Sequence, residues 1–155
     1  MTLRPLKAFL AQDSGASLVE AALIIPVFTI IIGGLMDFGL AYGEVLTAQK
    51  SLRDATRYLS ILPSGAVCTW GKTKALNLAG YGNLAGTGSP VIKGWTAPIS
   101  NHVTLVTPTT CSSSTDVGVI SMKATVPYTA IVWPMVGLPA SINFEVKHEE
   151  RWIGQ

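Results

Sequence analysis

The stretch Gly15-Ala16-Ser17-Leu18-Val19-Glu20 leads into an apolar run, LVEAALIIPVFTIIIGGLM, that extends from Leu18 to Met36. A helix needs about 20 largely apolar residues to cross the hydrocarbon core of a bilayer. The run therefore predicts a membrane-spanning helix. Glu20 is the exception within it. A charged side chain in such a helix costs roughly 2.5–3.5 kcal/mol on insertion scales, so it marks function by default.

The helical pattern does not stop where the apolar run ends. In MDFGLAYGEVLTAQKSLRDATRYLSIL, Val45, Ala48, Leu52, Ala55, Leu59 and Leu62 recur at spacings of three and four, which is one face of a helix. Gln49, Lys50, Arg53, Asp54 and Arg57 fall mostly off that stripe. Pro26 and Gly33-Gly34 are soft points that a membrane helix tolerates. Pro63-Ser64-Gly65 ends the pattern. One helix from about Ser14 to Leu62 is predicted, with its first half in lipid and its second half against a domain. At 1.5 Å per residue it is about 70 Å long.

The bulk numbers agree with a membrane-anchored chain. Its 155 residues are 48% hydrophobic and 13% charged, with mean hydropathy +0.42, against about 25% charged in ordinary soluble domains. The net charge of +2 and the lack of any basic run argue against nucleic acid as a partner. Arg4 and Lys7 flank the span on its N-terminal side, which favours a cytoplasmic N-terminus.

Beyond residue 63, three segments alternate with strand period. Val103, Leu105 and Thr107 form the first. Ile120, Met122, Ala124 and Val126 form the second, and Ile142, Phe144 and Val146 the third. Clean alternation predicts an antiparallel sheet with one buried and one wet face, the buried face packing on the helix stripe. A short helix is expected at residues 72–79 and a loop at residues 80–90. The fold class is α+β: a long N-terminal helix, membrane-spanning then amphipathic, packed on a small antiparallel β-sheet domain.

The chain has two cysteines, Cys68 just after the helix and Cys111 between the first two strands. An even cysteine count in an extracytoplasmic domain predicts one disulfide, here joining helix end to sheet. Neither cysteine sits in a CxxC, and His102 and His148 complete no four-ligand set, so no metal site or cofactor is expected. Between the last two strands, PYTAIVWPMVGLP (residues 127–139) is either a connection packed over the core or a contact surface for membrane or a partner subunit.

The order of a polar leader, a small-residue break at Ser14-Gly15-Ala16 and a retained hydrophobic helix is that of a type IV prepilin rather than of a secretory signal peptide. The chain resembles the TadE-like family of the tight adherence (Flp-type) pilus system. Gly15 to Pro26, Met36-Asp37-Phe38-Gly39, Ala48-Gln49, and Arg53-Asp54-Ala55-Thr56-Arg57-Tyr58 carry the resemblance, with Pro127-Tyr128-Thr129 as a later landmark.

The resemblance implies a minor pilin or pseudopilin, contributing to pilus assembly and surface adhesion. Its leader (residues 1–15) would be cytoplasmic, its membrane helix would span 16–40, and an amphipathic continuation would run over 41–62. An extracytoplasmic α+β domain would occupy 63–155. A prepilin peptidase would cut between Gly15 and Ala16, and Glu20 would act in assembly with other pilus subunits and assembly-platform proteins. The protein would lie in the bacterial inner membrane as a single-pass chain, free to enter the pilus.

An enzyme is not expected, because no Ser/His/Asp set, HExxH, P-loop or GxGxxG context occurs. The alternative reading is an uncleaved single-pass membrane protein holding a periplasmic binding domain. The placement of Gly15 before Glu20 speaks against it.

Overall fold

The computed structural model describes residues 13–108 and 118–154. Helix α1 runs unbroken over Asp13–Ser60, through Pro26. Its two halves differ in environment. Every described side chain from Ser17 to Ile32 is exposed, whereas Asp37, Ala41, Ala48, Leu52, Ala55 and Leu59 are buried. The buried positions follow the predicted stripe and extend it upstream to Asp37.

After Pro63 the chain stays helical. A single turn at Ser64–Ala66 and a π-helical turn at Val67–Gly71 precede helix α2, Lys72–Tyr81. The sequence pattern places only the last of these. Helix α2 turns Ala75, Ala79 and Gly80 inward. Gly80 permits close approach, since a Cβ there would lie 2.6 Å from the Ile99 side chain. Gly82, at φ 70°, closes the helix, and its N–H bonds the Leu78 carbonyl at 2.9 Å.

The sheet is an antiparallel meander of β1 (Val103–Thr107), β2 (Val119–Thr129) and β3 (Ser141–Arg151), with β2 central. Val103 pairs with Ala124, and Ala124 with Val146, so the three expected apolar sets share one face. Ile120, Met122, Ala124, Val126 and Tyr128 of β2 are buried beneath α1. The other face carries Lys123, which pairs with Glu145 at 3.6 Å, and Lys147, which pairs with Glu149. The long helix on a small antiparallel sheet is thus the α+β arrangement expected from the sequence.

Two features add to it. Residues 91–102, which carry no periodicity, supply Ile92, Trp95 and Ile99 to the core. The Trp95 indole N–H donates to the Thr125 carbonyl at 2.8 Å, which satisfies its one donor inside the core. The C-terminal strand also returns to the end of α1. Trp152 donates its indole N–H to the Leu62 carbonyl at 2.9 Å, and the Ile153 N–H bonds the Ser60 carbonyl at 2.9 Å. A helix leaves its last carbonyls without intrahelical donors; here the far end of the chain supplies them.

Residues 1–12 of the expected leader lie outside the described residues, as does Cys111. Cys68 sits in the π-helical turn, half-buried against the core.

Candidate functional site

Helix α1 carries the candidate site in three tiers. The first is its N-terminal end. Gly15 and Ala16 lie in the opening turn, and Gly15 faces open space, with no heavy atom within 4 Å of the position a Cβ would take. Glu20 is exposed, one turn beyond Ala16. The i, i+4 spacing places the two on one face of the helix. Among the described residues, no side chain pairs with Glu20.

The second tier is the apolar segment from Ala21 to Met36. Leu23, Ile25, Val27, Phe28, Ile31 and Met36 are all more than half exposed, and at about 100° per residue they cover more than half of the helix circumference. A helix that is apolar all round belongs in a membrane or among other helices. The described helix is long and apolar enough to cross a membrane, and its most apolar window has no side chain buried by the rest of the chain. A core helix of a soluble protein would be covered there. Within this segment Thr29 turns its hydroxyl back to the Ile25 carbonyl at 2.8 Å, so its polar group is satisfied by the helix itself.

The third tier is Asp37, at the junction of the exposed and packed halves. It is 1% exposed. Its carboxylate accepts the Val132 N–H at 2.7 Å, the Ile131 N–H at 3.1 Å on both oxygens, and the Tyr128 hydroxyl at 3.1 Å. A burial this deep is tolerable for a carboxylate because donors surround it. One turn earlier, Gly33 lies against Val132; a Cβ at Gly33 would come within 2.8 Å of the Val132 side chain. Tyr128 packs with Ala41 and Ala130, and Trp133 leans on Tyr128 with ring centroids 6.1 Å apart. The β2–β3 connection is thereby clamped to the helix at the end of the apolar run.

From the sequence alone, helix capping or solvation at the membrane surface is the natural expectation for Asp37. The structure buries it instead, and the amides it caps belong to a segment more than ninety residues away. A signal for this is present in the sequence. An acid at the edge of an apolar span needs a partner, and Tyr128 is the one ionisable side chain between Lys123 and Glu145. The structure does not bring Glu20 and Cys68 together; the first lies near the start of α1 and the second beyond its end.

Residues 15–57 match the family model described as TadE-like protein. The match covers part of helix α1 and none of the sheet domain, so the similarity to TadE-like proteins is one of the N-terminal helix. The match begins at Gly15, takes in Glu20 and Asp37, and ends at Arg57 within α1. No curated protein and no solved structure matches the chain.

The Asp37 clamp generates a test. Asp37→Ala strands two part-buried amides and one buried phenol. It is expected to weaken the attachment of the β2–β3 connection by roughly 3 kcal/mol, given a penalty of about 1–3 kcal/mol for each buried group left unpaired. Asp37→Asn, which keeps one acceptor oxygen, should lose less. Hydrogen exchange of the Ile131 and Val132 amides in detergent-solubilised full-length protein reads this directly. Unchanged protection in Asp37→Ala would remove the clamp from the account.

Proposed function

We propose that this protein is a minor pilin or pseudopilin of a tight adherence pilus. A prepilin peptidase cuts it between Gly15 and Ala16, and it acts in pilus assembly and surface adhesion. The observation that carries the proposal is the TadE-like helix itself. Its described side chains from Ser17 to Ile32 are exposed, and it is joined without a break to a folded domain. A helix of this kind is held in the inner membrane before assembly and is free to pack among subunits afterwards. With Arg4 and Lys7 on the cytoplasmic side, the sheet domain is periplasmic or, in a filament, extracellular. The sizeable domain suits a minor subunit better than a major one, because the major pilins of this system are little more than the helix.

Cleavage creates a new amine on Ala16, one turn from Glu20. The carboxylate then pairs either with its own N-terminus or with the amine of a neighbouring subunit. The second option fixes register between subunits, since an ion left unpaired in an apolar surrounding is strongly unfavourable.

The mature protein should begin at Ala16 by intact-mass measurement of the membrane-extracted chain. Gly15→Asp should remain as precursor. Open space around Gly15 means that the substitution disturbs the chain itself little, so a block would reflect the peptidase. A species beginning at Met1 or Thr2 in cells with active peptidase would favour the uncleaved membrane protein instead.

Glu20→Ala should still insert and be cut, but should be recovered poorly with other pilus subunits in a pulldown. Equal recovery of mutant and wild type would mean that Glu20 only neutralises its own N-terminus.

Cys68 and Cys111, the two cysteines of the chain, should be bonded in protein isolated without reductant. For a loop of this length the chain-entropy account gives roughly 4 kcal/mol of stabilisation. Peptide mapping that finds two free thiols would place the domain in the cytoplasm.

A further inference from the structure

We propose that the connection between β2 and β3 is a second membrane contact, a foot that dips into the outer lipid interface beside the helix. The inference rests on the reading of α1 as a membrane span. It concerns a segment outside the TadE-like match, which ends at residue 57.

Three observations converge on it. The first is axial level. Val132 sits against Gly33, and the amides of Ile131 and Val132 bond Asp37. The apolar run ends at Met36, so Gly33 lies about 4–5 Å inside its outer end at 1.5 Å per residue. If Leu18 to Met36 fills the hydrocarbon, the clamp holds this connection at or just below the hydrocarbon boundary.

The second is composition. From Ala124 to Phe144 no residue carries a charge, and on the helix none does between Glu20 and Asp37. The surface that the clamp brings to the boundary therefore meets lipid without burying an ion. Its apolar side chains project rather than pack. Met135, at 78%, is the most exposed large apolar side chain among the described residues, and Ile131 follows at 73%. In water, such a cluster on one tight loop would be unfavourable.

The third is the aromatic content at this level. Phe38 and Tyr42 stack with ring centroids 6.5 Å apart on the exposed side of α1, and Trp133 lies half-buried by Tyr128. Tyr and Trp concentrate where membrane meets water. The foot would prevent the domain from swinging freely on the helix and would hold it at one height above the lipid.

The test uses the full chain in proteoliposomes, with its native cysteines bonded. Nitroxide labels are placed singly at Met135→Cys, Ile25→Cys and Thr87→Cys. Accessibility to dissolved oxygen and to a water-soluble nickel chelate gives the depth of each. The expected result is a lipid signature at Ile25, a water signature at Thr87, and at Met135 a depth of roughly 5–10 Å into the headgroup–acyl boundary, as for apolar faces that lie in the interface. A water signature at Met135 with lipid at Ile25 would overturn the foot and leave the membrane span standing. A label at Met135 shielded from both reagents, or spin-coupled to another copy, would likewise overturn it in favour of a protein contact. A water signature at Ile25 would defeat the membrane span and the foot together.

Discussion

The carboxylate of Asp37 is the constraint around which the molecule is organised. It lies at the one place where a bare helix becomes a packed one, and it is almost wholly hidden from solvent. A buried carboxylate is tolerated only when donors surround it. The donors here are two successive backbone amides of the β2–β3 connection and the phenol of Tyr128 near the end of β2. That choice fixes where the sheet meets the helix. Once the amides of residues 131 and 132 are held at Asp37, Tyr128 is brought to Ala41, and β2 is laid along the stripe formed by Ala48, Leu52, Ala55 and Leu59. Small residues on that stripe let strand and helix approach closely, while the two leucines supply bulk.

The opposite end of the packed half is fixed by different chemistry. The carbonyls of Ser60 and Leu62 have no further helix to bond, and the exit of β3 supplies the Ile153 amide and the Trp152 indole. The domain is therefore tied to the helix at both limits of their contact. Between those ties the buried face of the helix is apolar except for Ser51 and Thr56, whose hydroxyls bond carbonyls of the helix itself. Upstream of Gly33 the described side chains from Ser17 to Ile32 are all exposed, which leaves that surface for lipid and, in the proposed role, for neighbouring subunits.

Much of this was legible in the residues. The apolar run from Leu18 to Met36, the three-and-four spacing from Val45 to Leu62 and the alternation in β2 and β3 each follow from one periodicity, and each reappears as an element. What was not legible lacked periodicity. Trp95 and Ile92 stand among glycines and prolines, where no repeat announces burial, yet they complete the core. The helical turns before α2 pass through Pro63, Ser64 and Gly65, residues that read as a breaker. The clamp at Asp37 escaped for a further reason: its donors are main-chain groups, which every sequence offers at every position. Of the candidate site, Gly15, Ala16 and Glu20 are proposed from a local spacing, which a sequence carries directly. The contact that joins span to domain was not legible, because it is set by topology.

The continuity of α1 has a mechanical consequence. A pull along the helix axis, such as extraction from a bilayer would exert, enters the domain at Gly33 and Asp37 and leaves it near Ser60, about 40 Å further on at 1.5 Å per residue. The domain is tied to the helix at both ends of this length, by the β2–β3 connection at Asp37 and by the exit of β3 near Ser60, so such a pull loads the contacts in shear and in parallel. They would have to fail together, not one after another as in a strand peeled from an edge. The domain would then travel with its helix as one rigid body, without a hinge between the two.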